Sequence, residues 1–590
     1  MTNTHLQAAA LATLGLAGCA GLGERPTSPA RNVILIMTDD QGYGDFSFAG
    51  NPVIRTPNLD AMAARSARLA TFYVSPVCTP TRAALMTGRH PQRTRAIDTW
   101  IGRAMMDPDE TTIAEVLRGA GFATGIFGKW HLGDCYPMRA MDQGFEESLV
   151  HRGGGIGQPA DPLGAEGKYT DPVLFHNGTR VQTQGYCTDV YFDAAISWMK
   201  KQHAKGRPFF TYLPTNAPHG PFHDVPETLR AEYEAMDLSP SRYPQDKGHP
   251  LPVKPSKNLP RIMAMIENVD QNIGKLFDAL KEMGVTDDTI VIFLNDNGPN
   301  TRRFVRGYRG KKTEVYEGGV RSPLLAHWPG SLPTGTRNGP ATAHYDVMPT
   351  ILDACGVAQP KGVQMDGRSV LPVLGRFGKK LPDRTVFVQA HRGDIPVRYH
   401  NFMLRTQRYK LLNASGFRRE LDLVEPRFEL YDLLEDPFEQ QNIADSQPDI
   451  VKRLRGEYEA WFTDVSTSRP DMDEPPPIHI GAKQAPTVVL TRQDWRRIGA
   501  SGSWGGRSMG EWVIKVVRPG PYTVHVHGLK NSPATSAYLE IGSAGIRGKV
   551  TGRTCTFTDV ELPVGEGRLR ASLKDARGEV GAYQVIIESK

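Results

Sequence analysis

The chain has 590 residues, 39% of them hydrophobic and 23% charged, with a formal net charge of +6 and six cysteines. That length exceeds one ordinary core, so two or more domains are expected, and the composition is that of a soluble globular protein. Lys and Arg are scattered, which excludes a nucleic-acid-binding stripe, and the wide Cys spacing excludes a zinc cluster or a dense disulfide scaffold.

Residues 8–18 form a short apolar run ending in Leu16-Ala17-Gly18-Cys19. The run is too short to span a bilayer and has the pattern of a bacterial lipoprotein signal, residues 1–19, with Cys19 as the lipidated residue. An ordinary cleaved signal peptide is the alternative, because residues 1–7 hold no Lys or Arg. Both readings predict export to the periplasm, outer membrane or cell surface of a bacterium, with membrane contact only through a lipid. Residues 20–30 read as a linker. Cys135, Cys187, Cys355 and Cys555 are expected as buried thiols, one bridge among them being the alternative.

Asn32-Val33-Ile34-Leu35-Ile36-Met37 is a continuous apolar run, as expected of a strand buried on both faces of a parallel sheet, and it ends in Thr38-Asp39-Asp40. Residues 112–118 predict a short helix. Residues 122–127 predict a strand that delivers Gly128-Lys129-Trp130-His131, and residues 208–213 another that delivers Asn216-Ala217-Pro218-His219. The Gly- and Pro-rich stretch 151–169 reads as a long surface loop. Ile262, Ile266, Val269, Ile273, Leu276 and Leu280 lie on one helical stripe, which Gly284 terminates. The run Thr289–Leu294 follows and ends in Asn295-Asp296-Asn297-Gly298. Helix followed by buried strand is the rhythm of an α/β fold, whose ligands bind at the carboxyl ends of strands. Four strands therefore bring polar residues to one edge.

Residues 31–355 are read as the catalytic domain. Residues 356–465 are read as a smaller α+β subdomain with strands at 387–412 and 429–433 and a helix at 449–462. Residues 466–486, centred on Pro475-Pro476-Pro477, are read as a stiff linker, and 487–590 as a separate all-β sandwich. In that sandwich Tyr522, Val524 and Val526 alternate with Thr523, His525 and His527.

Asp39, Asp40, Asp296 and Asn297 offer only hard oxygen ligands, a set suited to Ca²⁺ or Mg²⁺ and not to zinc. Capping of the following helices is the other use of Asp and Asn at such positions. The segment Cys78-Thr79-Pro80-Thr81-Arg82, continued by Leu85 and Thr87-Gly88-Arg89, carries the most specific pattern. A Cys two residues before Pro and four before Arg, running into L-x-T-G-R, resembles the signature of type I sulfatases of the alkaline phosphatase superfamily, with Thr81 where Ser is usual. Gln41-Gly42-Tyr43-Gly44-Asp45, Thr56-Pro57-Asn58-Leu59-Asp60, Asp346-Val347-Met348-Pro349-Thr350 and Leu430-Tyr431-Asp432-Leu433 with Asp436-Pro437 also resemble phrases of that family. The resemblance covers about residues 31–460.

The resemblance implies a mainly parallel sheet with flanking helices and hydrolysis of a sulfate monoester. A maturation enzyme would oxidise Cys78 to a formylglycine whose hydrate is the nucleophile. One Ca²⁺, with Mg²⁺ as the alternative, would be bound by Asp39, Asp40, Asp296, Asn297 and the oxygen at position 78. It further implies that Arg82 stabilises the hydrate, Lys129 holds hydrate and sulfate, and His131 is the base that collapses the sulfated intermediate. His219 would bind sulfate, and Lys312 would bind it and protonate the leaving oxygen, with Lys311 as the neighbouring register. The export signal and β-domain suggest a sulfated glycan as substrate. Arg302, Arg303, Arg306 and Arg309 are read as substrate contacts or as a solvated face. The rival readings are a phosphonate or phosphate monoester hydrolase of the same superfamily, and a non-catalytic glycan-binding protein with unmodified Cys78.

Overall fold

The computed structural model describes residues 29–244, 247–375, 381–418, 425–498, 504–530, 533–542 and 544–590. The lipoprotein reading at Cys19 lies outside them. No helix among the described residues is long and apolar enough to cross a membrane.

The centre of the molecule is a ten-stranded mixed sheet. Its four middle strands are β1 (Asn32–Thr38), β2 (Ala123–Lys129), β3 (Phe209–Pro214) and β4 (Thr289–Asn295). They lie in the order β4-β1-β3-β2, all parallel. Every residue of these strands is buried, because helices cover both faces, and this is why the runs show no alternation. On one face packs α2 (Leu259–Glu282), preceded in the chain by α1 (Cys78–Thr87), which lies against the other. The α2 stripe from Ile262 to Leu280 is no more than 1% exposed, each such side chain contributing roughly 1.5–3 kcal/mol. Gly284 follows with φ +68°, the left-handed stop anticipated from sequence. The helix at Ile113–Gly119 opens with a capping box between Thr112 and Glu115.

The strands Val386–Gln389, Phe402–Arg405, Tyr409–Asn413 and Glu429–Asp432 form a four-stranded antiparallel sheet covered by the helix Pro448–Ser466. Beyond it, seven- and four-stranded sheets face each other over one apolar core, with Tyr522, Val524 and Val526 inside and Thr523, His525 and His527 at the surface.

Three sequence expectations need correction. The stretch 466–486 is not a spacer between bodies: Ile478–Ile480 is a strand of the seven-stranded sheet, and Arg95 and Arg103 bind Asp471, Met472 and Glu474. A three-residue strand beside prolines gives too short an alternation to register in sequence. The β-sandwich is not separate. Met105, Cys135 and Met138 enter its core, and Cys135 Sγ lies 3.3 Å from Val489 O. The loop 151–169 is irregular as expected but not superficial: residues 153–156, 160 and 161 are buried, and Asp161 O accepts from Gln584 Nε2 at 2.5 Å. The four thiols outside the site are buried and unbridged.

The interface encloses two carboxyls. Burial pushes Asp134 up to about 6, and burial together with Asp134 pushes Asp494 well above the ordinary carboxylate value, Arg152 opposing both. A carboxyl raised in the folded state contributes no penalty below its unfolded value of 3.8. The penalty then grows as pH rises toward about 6 and is fully present above that. Asp134→Asn is therefore expected to raise the thermal midpoint at about pH 8 and to narrow the gap between about pH 5 and about pH 8. Scanning calorimetry at both values checks this.

Candidate active site

All four parallel strands end at the same edge of the sheet. Asp39 and Asp40 follow β1, and Lys129 and His131 end and follow β2. Asn216 and His219 follow β3, and Asp296 and Asn297 follow β4. Gly128, at φ +137°, allows β2 and β3 to close there, since a Cβ would lie 2.0 Å from Pro214 O. Into this edge α1 projects its first residue, Cys78, which is 2% exposed.

Asp39, Cys78 and Asp296 offer ligand atoms within 4.8 Å of one another, and Asp39, Asp40 and His219 form a second such group. Arg82 Nη2 donates to Asp296 Oδ2 at 2.9 Å and lies 3.5 Å from Asp39 Oδ2, while Nη1 donates to Lys129 O at 2.6 Å. Lys129 Nζ donates to Asp39 Oδ2 at 2.5 Å, and Lys312 Nζ pairs with Asp40 Oδ1 at 2.5 Å. His131 Nδ1 is 3.4 Å from Cys78 Sγ. His219 Nδ1 donates to Gly220 O at 2.7 Å, leaving Nε2 on the pocket side, 3.8 Å from Asp40 Oδ2. The geometry thus brings together every catalytic and metal position read from sequence. Lys312, not Lys311, enters the pocket, and Lys311 faces Glu314 at 3.9 Å.

Burial tends to raise the Asp39 carboxyl, but Lys129, His219, Arg82 and Lys312 outweigh it and hold it well below the usual range. Asp40 is also held low, its burial offset by Lys312 and His219. Asp296 is pushed up to about 7 by burial and by the charge of Asp39, against Arg82. Burial pushes the Cys78 thiol up, so the unmodified side chain is neutral and a poor nucleophile. Burial, with Lys129 and Arg82, drives His131 well below its ordinary value and leaves a neutral imidazole. Burial tends to lower Lys312, but Asp40 together with Asp39 and Asp296 outweighs it and raises the ammonium, which carries its proton.

Two site residues stand in the left-handed region, Asp40 at φ +63° and His131 at φ +55°, at a cost of order 1–3 kcal/mol each. Asp40 is held there by its N–H to Asp296 Oδ1, 3.1 Å, and by Arg303 Nη2 on its carbonyl, 2.8 Å. Thr79 Oγ1 donates to His131 O at 3.3 Å. Arg303 is therefore neither a substrate contact nor solvated: it is buried and grips both oxygens of Asp45. Arg309 stacks on Tyr316 and pairs with Glu429. Sequence reasoning missed these supports and also Thr81, whose hydroxyl donates to Asp296 O at 2.7 Å. Asp45 lay within a family-like phrase, the only signal that marked it.

A divalent cation fits the residues present. Asp39 Oδ1 and Asn297 Oδ1 are buried without a hydrogen-bond partner among the described residues, and Asp39, Asp40, Asp296 and Asn297 all offer hard oxygen ligands. The upward push on Asp296 marks a carboxylate short of positive charge.

Comparison with known proteins agrees with this geometry. Residues 31–357 match the Sulfatase family model, and residues 307–461 match that of the N-sulphoglucosamine sulphohydrolase C-terminal region. The chain is 33% identical to arylsulfatase A of Bos taurus over 482 residues, 75% of this chain and 88% of the relative. It is 30% identical to N-acetylgalactosamine-6-sulfatase of Canis lupus familiaris, over 64% of this chain and 71% of the relative. The crystal structure of Ps i-CgsB superposes with a TM-score of 0.62 at 26% identity, covering 77% of this chain and 94% of that one. The chain belongs to the sulfatase family and is a sulfuric ester hydrolase of α/β, alkaline phosphatase-like fold.

Proposed function

We propose that the protein hydrolyses a sulfate monoester of a sulfated carbohydrate, with Cys78 matured to formylglycine and Ca²⁺ held by Asp39, Asp40, Asp296, Asn297 and the oxygen at position 78. The observation that carries this reading is the buried cluster in which Cys78 and Arg82 of α1 meet three acids, Lys129 and two histidines from four strand ends, with Lys312 from a neighbouring turn. The sugar class is supported by relatives, one an N-acetylgalactosamine-6-sulfatase and one, Ps i-CgsB, solved in complex with k-i-k-neocarrahexaose. We also propose export, by attachment through Cys19 or by release after signal cleavage, and the division into 31–355, 356–465 and 487–590.

The hydrated aldehyde supplies an oxygen nucleophile, and the cation, when bound, withdraws charge from the sulfate and favours deprotonation of that oxygen. The chain's own groups do the rest. Lys129, beside Asp39, and Lys312, beside Asp40, donate to the sulfate oxygens as charge grows on them. Arg82 is wholly buried and holds Asp39 and Asp296 in register under position 78. Neutral His131, with Nδ1 toward position 78, accepts the proton whose removal releases sulfate. Lys312, at the partly open side of the pocket, gives its proton to the departing sugar oxygen. His219 lies beside Asp40 and bounds the sulfate.

Turnover of nitrophenyl sulfate against nitrophenyl phosphate and phosphonate tests the reaction class. The sulfate is expected to be fastest, and faster phosphonate turnover would overturn the assignment. Dialysis against a chelator is expected to remove activity and lower the thermal midpoint, and excess Ca²⁺ to restore both. At a hundredfold excess over Kd the cation contributes about 2.7 kcal/mol.

A further inference from the structure

The turn that follows the strand Thr487–Thr491 of the β-sandwich reaches the active site. Gln493, 1% exposed, donates from Nε2 to Thr99 O at 2.7 Å, and the same nitrogen is 3.4 Å from His131 Nε2. His131 Nε2 is itself 3.0 Å from Thr99 O. A carbonyl only accepts, so the imidazole proton sits on Nε2, and Nδ1, facing Cys78, is the nitrogen with the free lone pair. Two donors converge on one carbonyl and use both of its lone pairs. The amide orientation follows from the same network, since an oxygen turned toward Thr99 O would meet a second acceptor. Gln493 Oε1 has no hydrogen-bond partner among the described residues, so the amide is set by its donor side.

The surroundings fix this arrangement. Gly102 N donates to Gln493 O at 3.4 Å, and Arg496 Nη1 donates to Ile101 O at 3.2 Å. Asp98, next to Thr99, is tied to Arg392 at 3.0 Å. Gly154 closes one side of the imidazole, where a Cβ would lie 2.9 Å from His131 Nε2. The ring is thus bounded by the loop 151–169, by the Thr99 carbonyl and by a side chain 362 residues away in sequence.

We propose that Gln493 of the β-sandwich is a positioning residue for His131, fixing the Thr99 carbonyl that selects the tautomer with Nδ1 directed at position 78. The β-sandwich is then part of the catalytic unit. The inference rests on the assignment of His131 as base made above.

The test compares two variants of the full chain on nitrophenyl sulfate. Gln493→Met keeps the size of the side chain and removes the donor. It is expected to lower kcat roughly ten- to hundredfold, as loss of an orienting partner does elsewhere, with KM unchanged. Gln584→Leu removes the buried bond to Asp161 O between the same two bodies, away from His131, and is expected to keep wild-type kcat and KM. If Gln493→Met fails to accumulate as folded chain, Gln493→Glu makes the same comparison. Wild-type kcat in the Gln493 variant, or an equal kcat loss in both variants, would overturn the inference. Absence of turnover by the wild-type chain would overturn the functional reading as well.

Discussion

Cys78→Ala is expected to lower turnover of a sulfate ester by a factor on the order of 10⁴ or more, as removal of a nucleophile does in other hydrolases. Stability should change little. Among the described residues the Cys78 side chain makes one polar contact, the 3.4 Å approach to His131, and alanine suits the first residue of a helix. Arg82, Lys129 and the acids keep their mutual pairs in the variant, because none of those pairs passes through position 78. Steady-state rates beside a melting curve separate the two effects. A variant that retains more than a small fraction of wild-type turnover would move the nucleophile elsewhere.

Lys410→Met is expected to destabilise the protein by about 3–5 kcal/mol, because it leaves buried carboxylates without their cation. Lys410 Nζ lies 3.0 Å from Glu317 Oε1 and 2.7 Å from Glu439 Oε1, and all three side chains are fully buried. Glu439 Oε2 accepts from Glu317 N at 2.8 Å, and Arg321 pairs with Glu317 at 2.8 Å. This cluster underlies the turn that carries Lys312 and packs on the Asn297–Gly298 backbone, where a Cβ on Gly298 would lie 2.1 Å from Gly318 O. Burial tends to raise Glu317, but Lys410 and Arg321 hold it down at about 2. A depressed carboxyl contributes stability above its unfolded value of 4.5 and loses it as pH falls from there toward about 2. The deficit of the variant should therefore be greatest near neutrality and shrink over that acid window. Denaturant unfolding across pH measures it, and a deficit independent of pH would contradict the account.

The strand ends were readable because a parallel sheet buried on both faces makes continuous apolar runs, and the polar residues after β1, β2, β3 and β4 then share an edge. The choice between Lys311 and Lys312 was not readable: adjacent lysines in a loop have no periodicity to separate them. Arg303 grips Asp45 across 258 residues, and no local pattern reports such a pair. Glycines and prolines marked 151–169 as irregular, but they do not say which way a loop folds. Here Gly154 lies against His131, where a Cβ would collide, and Gly155 lies close against His219. The docking of the β-sandwich was hidden for the same reason, since Gln493 is one polar residue after a strand until the fold carries it to Thr99.

Mass spectrometry of the tryptic peptide Leu69–Arg82, from chain produced in a host that has the maturation enzyme, tests the central claim most directly. The account predicts an aldehyde in place of the thiol at position 78. A peptide that retains an intact thiol in every copy, from a preparation that hydrolyses sulfate esters, would contradict it.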